Sequence, residues 1–265
     1  MDNNKVGIIC QARLSSSRLP GKVLFDLGGI NSIELICKRY RRKLNDKYNF
    51  IIATSNNPED NAIKNFCEEK KINYFGGSLE NVLERYFKCA QINNYQFIVR
   101  VTSDCPFLDF TLIPKMLETL VENNLDYISN SHNQAGHVPD GFDVEIFKMS
   151  SLKKIMELED LLPSEIEHVT FPFHNRKIFK KLLLKDTPEK YRNIRVTLDE
   201  PADLKLIRKL INLIGLQNII NYSMSNICDF ILDNNLLKIN SEIDKNSGWN
   251  SAFKKDIDFL QNKKI

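Results

Sequence analysis

The chain has 265 residues, 42% of them hydrophobic and 27% charged, with 37 Lys and Arg against 34 Asp and Glu for a formal net charge of +3. That length and composition describe an ordinary globular protein of one large domain, or of a domain with a small appendage. The near balance of charge argues against a basic stripe that tracks nucleic acid, while leaving room for a local anion site. Six scattered cysteines (Cys10, Cys37, Cys67, Cys89, Cys105 and Cys228) with no C-x-x-C pair argue against a disulfide framework and a zinc site of the usual spacing. The first residues have no signal-peptide form, and no apolar stretch approaches the roughly 20 residues of a membrane span. The expectation is a cytoplasmic protein with neither membrane nor nucleic acid as a partner.

Short apolar runs rich in β-branched and aromatic residues lie at 6–10, 50–54, 72–75, 97–101, 126–129, 144–147, 178–184 and 194–197. Between them, helical spacing predicts helices near 32–44, 59–70, 79–92, 111–123, 150–159 and 164–175, and a further one over 201–214. Pro58 and Pro201 stand at helix starts, and Gly215 is placed to end the last of these helices. This alternation predicts an α/β fold with a mostly parallel sheet covered by helices on both faces. Residues 1–215 form the expected main domain. Residues 216–265, Asn- and Lys-rich but with apolar spacing at Ile219, Ile220, Ile227 and Ile231, read as a helical C-terminal appendage. Ligands of open parallel sheets bind beyond the carboxyl ends of the strands, so the segments after Cys10, Thr54, Phe75, Val101 and Thr197 are the places to search.

After the first strand the chain reads Gln11-Ala12-Arg13-Leu14-Ser15-Ser16-Ser17-Arg18-Leu19-Pro20-Gly21-Lys22. Arginines make bidentate contacts with phosphate, lysine acts as a point charge, and a loop of small residues offers backbone N–H groups. The alternative is a solvated basic loop. The spacing is neither that of a Walker loop nor that of a dinucleotide fingerprint, which counts against an NAD enzyme.

Residues 11–24 resemble the signature of the cytidylyltransferases that act on 3-deoxy-manno-octulosonate and on acylneuraminate, and look closest to the spore coat polysaccharide biosynthesis protein F branch. The resemblance implies a Rossmann-like fold of the nucleotide-diphospho-sugar transferase type. It also implies a loop that wraps the triphosphate of CTP, with Ala12, Arg13, Ser17, Arg18 and Lys22 at the nucleotide and Arg13, Arg18 and Lys22 among the catalytic residues.

Two acidic positions follow strands. Asp104, in Thr102-Ser103-Asp104-Cys105-Pro106, is placed to hold a divalent cation, for which Mg2+ accepts a few carboxylates plus phosphate oxygens and water. Asp199, in Thr197-Leu198-Asp199-Glu200-Pro201-Ala202-Asp203, ends the last run. Either carboxylate could instead cap a turn or the following helix, and Asp203 reads as a helix-start residue. Both segments resemble family motifs, which implies that Asp104 is catalytic and also touches the nucleotide, and that Asp104 and Asp199 hold Mg2+ together.

Small residues after the second and third strands would admit a flat base, although they also suit ordinary turns. The resemblance implies that Ala53, Thr54, Ser78 and Asn81 lie near the nucleotide. Pro139-Asp140-Gly141-Phe142-Asp143-Val144-Glu145 and Glu167-His168-Val169-Thr170 resemble the spore coat branch. They draw Asp143, Glu145 and His168 towards the acceptor, with Arg100 beside them, although a lone histidine such as His168 is more often structural. His132, His137 and His174 gain nothing from the resemblance.

The expected activity is CTP-dependent activation of a sugar acid, or of a sugar or polyol phosphate, with release of pyrophosphate. It would serve surface polysaccharide or glycoconjugate synthesis and run by direct displacement with no protein nucleophile. A homodimer is a further expectation from the resemblance. The alternatives are a glycosyltransferase using a nucleotide sugar, against which the absence of a D-x-D motif at Asp104-Cys105-Pro106 counts, and a non-catalytic sugar-nucleotide binding protein.

Overall fold

The structure, a computed structural model, describes residues 2–130, 138–185, 187–243 and 247–262, with the side chains of 247–252 left aside. His132 and His137 lie outside the described residues. In chain order the elements are β1 (Val6–Gln11), α1 (Ser32–Leu44), β2 (Asn49–Ser55), α2 (Asn61–Glu69), β3 (Tyr74–Gly77), α3 (Val82–Ile92), β4 (Phe97–Thr102) and α4 (Ile113–Glu122). There follow β5 (Tyr127–Ser129), β6 (Glu145–Lys148), α5 (Met149–Met156), α6 (Pro163–His168), α7 (Phe171–Asn175) and β7 (Lys181–Leu183). The chain continues through α8 (Pro201–Ile214), α9 (Leu216–Asn221), α10 (Met224–Asp233) and α11 (Ser247–Asn262).

One seven-stranded sheet runs in the order β3-β2-β1-β4-β6-β5-β7. β1 is central and parallel to β2 and β4, β3 continues the parallel half, and β6 runs antiparallel to both β4 and β5. This is the expected mixed α/β sheet. Because side chains alternate across a strand, Ile8 and Cys10 of β1 pack with Ile33 and Ile36 of α1 on one face. Ile9 packs with Leu83 and Tyr86 of α3 on the other. Both faces are thus covered, which is why β1 reads as a continuous apolar run. Residues 216–236 extend a third core cluster, where Ile219, Ile227 and Leu236 pack with Leu27, Leu35 and Val196. Arg39 of α1, wholly buried, ties this region to the loop after β4: it donates to the carbonyls of Phe107 and Leu108 on one side and of Ile219 and Tyr222 on the other. All six cysteines are buried and free. Among the described residues no helix is long and apolar enough to cross a membrane.

Three sequence readings shift. The run 194–197 is not a strand: it makes a single bridge, Asp140 to Arg195, because its neighbours are loop residues. Val196 N–H bonds the Asp140 carbonyl (2.7 Å) and Leu198 N–H that of Asp104 (2.7 Å). The expected helix over 164–175 breaks into α6 and α7 at Val169, whose φ of 53° is left-handed. That conformation is unfavourable for a β-branched residue and is held here by complete burial and by Thr170 N–H turning back to the His168 carbonyl. The run 72–75 pairs later than expected, as Tyr74–Gly77, because Gly76 and Gly77 accept the close approach that side chains would block. A Cβ at Gly76 would lie 2.3 Å from Asn56 Oδ1.

Candidate active site

The loop after β1 leaves the sheet gradually. Gln11 C=O still accepts from Ser103 N–H (3.0 Å), and Ala12 N–H donates to Ala53 C=O (3.1 Å). The Leu14 carbonyl then accepts from both Ser16 N–H (2.8 Å) and Gly21 N–H (2.9 Å), closing 14–21 into an arch. Gly21 turns the chain at φ 76°, where a residue without Cβ is preferred. The foot of the arch is pinned from below by Asp60, 1% exposed at the start of α2: Oδ1 accepts from Leu14 N–H (2.7 Å) and Oδ2 from Ser55 Oγ (2.5 Å). Sequence reasoning missed Asp60, which looks like a helix-start carboxylate. An amide cannot accept at both ends, so we expect Asp60→Asn to cost about 1–3 kcal/mol of stability. We also expect it to raise KM for nucleotide by roughly tenfold, kcat changing less, as steady-state kinetics and urea unfolding would show.

The cations of the arch meet carboxylates from distant segments. Lys22, 8% exposed, places Nζ 2.9 Å from Asp104 Oδ2 and 2.5 Å from Asp199 Oδ1. Arg18 reaches Asp199 Oδ2 (3.0 Å, from Nη2) and Glu200 Oε1 (3.3 Å, from Nε). Arg13, more exposed, lies 3.8 Å from Glu167 Oε1, and Ser17 is exposed on the arch. Asp104 lies two residues past the end of β4, and its carbonyl accepts from Leu198 N–H, which sets Asp199 opposite it. Burial would raise the Asp104 carboxyl, but the Lys22 ammonium, with hydrogen bonds from Lys22 and Thr102, overrides this and holds it at about 2. Burial likewise pulls Lys22 down, and Asp104 and Asp199 outweigh it and leave Lys22 above its ordinary value.

Two carboxylates from separate segments thus converge on one cation, the Lys22 ammonium. Among the described residues no group of three or more His, Cys, Asp or Glu is arranged for a metal ion. A pair of hard oxygen donors beside an arch that presents Arg13, Arg18 and Lys22 is nonetheless a setting that Mg2+ accepts, given phosphate oxygens and water as its other ligands. The residues present therefore fit the ion.

Behind Asp199 lies Arg195, 6% exposed. Its guanidinium binds Asp203 through both Nε (3.0 Å) and Nη2 (3.0 Å), Asp199 Oδ2 through Nη2 (3.2 Å), and Asp140 through Nη1. Asp203 is wholly buried, and its Oδ2 also accepts from the N–H groups of Asp199 (3.1 Å) and Glu200 (3.0 Å). It is a helix-start carboxylate, as expected, and in addition a counter-ion. Burial, reinforced by Asp143 and Asp199 against Arg195, pushes Asp140 up to about 7.

Over β4 and β6, Arg100 pairs with Glu145, which also accepts from Tyr127 Oη (2.6 Å). Tyr127 Oη lies 3.0 Å from His174 Nε2, so His174 joins a buried network although no motif singled it out. Burial would raise Glu145, and Arg100 with Tyr127 brings it below its ordinary value. His168 stacks on Phe171, with ring centroids 4.4 Å apart, and burial with Arg100 lowers it to about 4, so it is neutral at pH 7. Asp143 Oδ2 accepts from Gly141 N–H (3.3 Å). Arg100 and Glu145 are thus each other's partners first. Arg100 Nε remains buried with no partner among the described residues, as do Gln11 Oε1 and Thr54 Oγ1.

At the other end of the parallel half, a cleft of about 490 Å3 is lined by Asn56, Pro58, Phe75, Gly76, Gly77 and Ser78 among others. Of the four residues expected near the nucleotide on this side, Ser78 lines it. Ala53 and Thr54 are fully buried in β2. Asn81 caps α3, its side chain accepting from Glu84 N–H (2.8 Å).

A cytidylyltransferase family model matches residues 7–234. The chain is 35% identical over 248 residues to an uncharacterized protein of Methanocaldococcus jannaschii, covering 91% of this chain and 96% of that one. It is 30% identical to spore coat polysaccharide biosynthesis protein SpsF of Bacillus subtilis, over 78% of this chain and 86% of the relative. Among solved structures, a cytidylyltransferase from Leptospira borgpetersenii superposes with a TM-score of 0.78 at 26% identity, covering 91% and 99% of the two chains. A CMP:2-keto-3-deoxy-manno-octonic acid synthetase complexed with CTP shares the fold at a TM-score of 0.56 and 17% identity, over 79% of this chain and 99% of that one. With most of its length matched, the chain belongs to the cytidylyltransferase family and is a nucleotidyltransferase.

Proposed function

We propose that the protein transfers a cytidylyl group from CTP to a sugar acid, or to a sugar or polyol phosphate, with release of pyrophosphate and with Mg2+ at Asp104 and Asp199. The observation that carries this reading is the Lys22 ammonium held between Asp104 and Asp199 at the end of an arch that also presents Arg13 and Arg18. When the triphosphate arrives, Lys22 and Arg18 exchange carboxylate partners for phosphate oxygens, and Asp104 and Asp199 would then hold the Mg2+ ion. That ion, when bound, supplies positive charge against the triphosphate.

An acceptor oxygen, either an anionic phosphate oxygen or a hydroxyl that gives its proton to solvent water, then attacks the α-phosphorus, the bond to the α,β-bridging oxygen breaks, and pyrophosphate departs with the electron pair. Charge accumulates on the departing group, where Arg13, Arg18 and Lys22 stabilise it, so positioning and charge neutralisation dominate the rate. The base is read beyond β2 and β3, where Ser78 lines the cleft, with Ala53 and Thr54 buried in β2 and Asn81 at the start of α3 completing that neighbourhood. The acceptor lies over β4 and β6. Arg100 retains a buried, unpartnered Nε for an acidic substituent, Asp143 faces hydroxyls, Glu145 orients Arg100, and neutral His168 can both donate and accept. The name of the Bacillus relative supports a role in surface polysaccharide synthesis. Calorimetry of the four nucleoside triphosphates with Mg2+ tests the nucleotide assignment. CTP is expected to bind at least about tenfold more tightly than the rest, a gap of about 1.4 kcal/mol. Equal binding of all four, or of none, would sink it.

A further inference from the structure

We infer that Asn240, beyond the family-matched stretch 7–234, is a positioning residue that fixes Asp199 for its cation through Asp203 and Arg195. Asn240 follows a short turn over Leu236–Ile239 and is 6% exposed. Leu236, 4% exposed, anchors that turn in the core cluster shared with Leu206 and Leu210 of α8. From there Asn240 Nδ2 donates to Asp203 Oδ1 (2.8 Å) and to the Arg195 carbonyl (3.0 Å). Those two residues hold Asp199 from behind, opposite its contacts with Lys22 and Arg18. Asp203 Oδ2 accepts from Asp199 N–H (3.1 Å), and Arg195 Nη2 lies 3.2 Å from Asp199 Oδ2.

The chemistry accounts for an amide at this position. One guanidinium serves three carboxylates, Asp140, Asp199 and Asp203, so the cluster keeps net negative charge facing the loop. Asp203 has no solvent, so a donor lost from it would have to be replaced by Arg195, at the expense of the contact with Asp199. A neutral donor on Asp203 satisfies that carboxylate without adding a charge that would compete with the cation. A lysine or arginine would neutralise the site it was meant to support. The tail therefore contributes to the site from behind, by fixing orientation rather than by touching substrate.

This inference rests on the reading of Asp199 as a metal-holding carboxylate, and the test separates the two. Mn2+ affinity is measured with CTP present, from the loss of the free-ion EPR signal, for wild type, Asn240→Ala and Asp199→Asn. The Mg2+ requirement of pyrophosphate release and KM for CTP are measured alongside. Asn240→Ala is expected to weaken Mn2+ binding by about tenfold, the lower end for loss of an outer-shell partner, with KM for CTP at saturating Mg2+ within about twofold. Should Asn240→Ala not accumulate folded, Asn240→Ser, which keeps a shorter donor, is read the same way with an expected loss of about threefold. A residue that serves only packing would lower the melting temperature and leave Mn2+ affinity unchanged, which overturns the inference. If Asp199→Asn weakens Mn2+ and neither Asn240 variant does, the inference alone falls. If Asp199→Asn also leaves Mn2+ binding intact, the metal reading falls with it.

Discussion

Lys22→Met is expected to reduce pyrophosphate release by about a thousandfold, the size of effect seen when a preorganised charge is removed from an electrostatically driven site. Lys22 is the most buried cation of the arch and the one that touches both candidate metal carboxylates. Methionine keeps the length and the packing of the stem, so the loss reports charge rather than shape. The same substitution has a signature in stability. Asp104 titrates near 2 in the folded protein, below its ordinary 3.8, because Lys22 outweighs the burial that would raise it. A depressed carboxyl contributes stability at pH values above its ordinary one, and that contribution is lost as pH falls from near 4 towards 2. Its size is on the order of 2 kcal/mol. Urea unfolding should therefore show Lys22→Met less stable than wild type at pH 7 and less sensitive than wild type to acidification between pH 4 and pH 2. Equal slopes for the two proteins in that window would show that Lys22 does not set the state of Asp104.

Arg195→Met is expected to be the most destabilising single change near the site. Asp203 has no exposure, and Arg195 is the cation that meets Asp203, Asp199 and Asp140 together. Removing one partner of a buried ion pair costs roughly 3–5 kcal/mol because a charge is left without compensation. For a chain of this size that corresponds to a melting temperature lower by about 10 °C. Arg195→Lys should not restore it, since a single ammonium cannot reproduce the planar fork that binds Asp203 twice while holding two other carboxylates. Calorimetry of the three proteins decides the point. Wild-type melting in Arg195→Met, or full rescue by lysine, would remove Arg195 from its place behind Asp199.

The parallel half of the sheet is legible in the sequence because its strands are buried on both faces and alternate with helices of clear period. The arch is legible because Arg13, Arg18 and Lys22 fall within one short stretch after the first strand. Their partners are not: Lys22 meets Asp104 across 82 residues and Asp199 across 177, separations that no local pattern encodes. Asp60 and Asp203 read as helix-start carboxylates, which they are, and nothing in their spacing marks the second contacts that pin the arch and bind Arg195. The run 194–197 has the composition of a strand but lies where only loop backbone is available to pair. The break at Val169 runs against propensity, since a β-branched residue is among the least suited to φ 53°. The apolar spacing of 216–236 is visible, whereas its packing against Leu27, Leu35 and Val196 depends on the tertiary fold.

The most direct measurement is pyrophosphate release by purified protein supplied with Mg2+, CTP and a pool of sugar acids and sugar phosphates, with Asp104→Asn run beside the wild type. Acceptor-dependent release with CTP that disappears in Asp104→Asn is the expected result, and it would leave the identity of the acceptor to be read from the pool. Release that persists in Asp104→Asn, or a wild-type protein that neither binds nor consumes CTP, would contradict the site assigned to Lys22, Asp104 and Asp199.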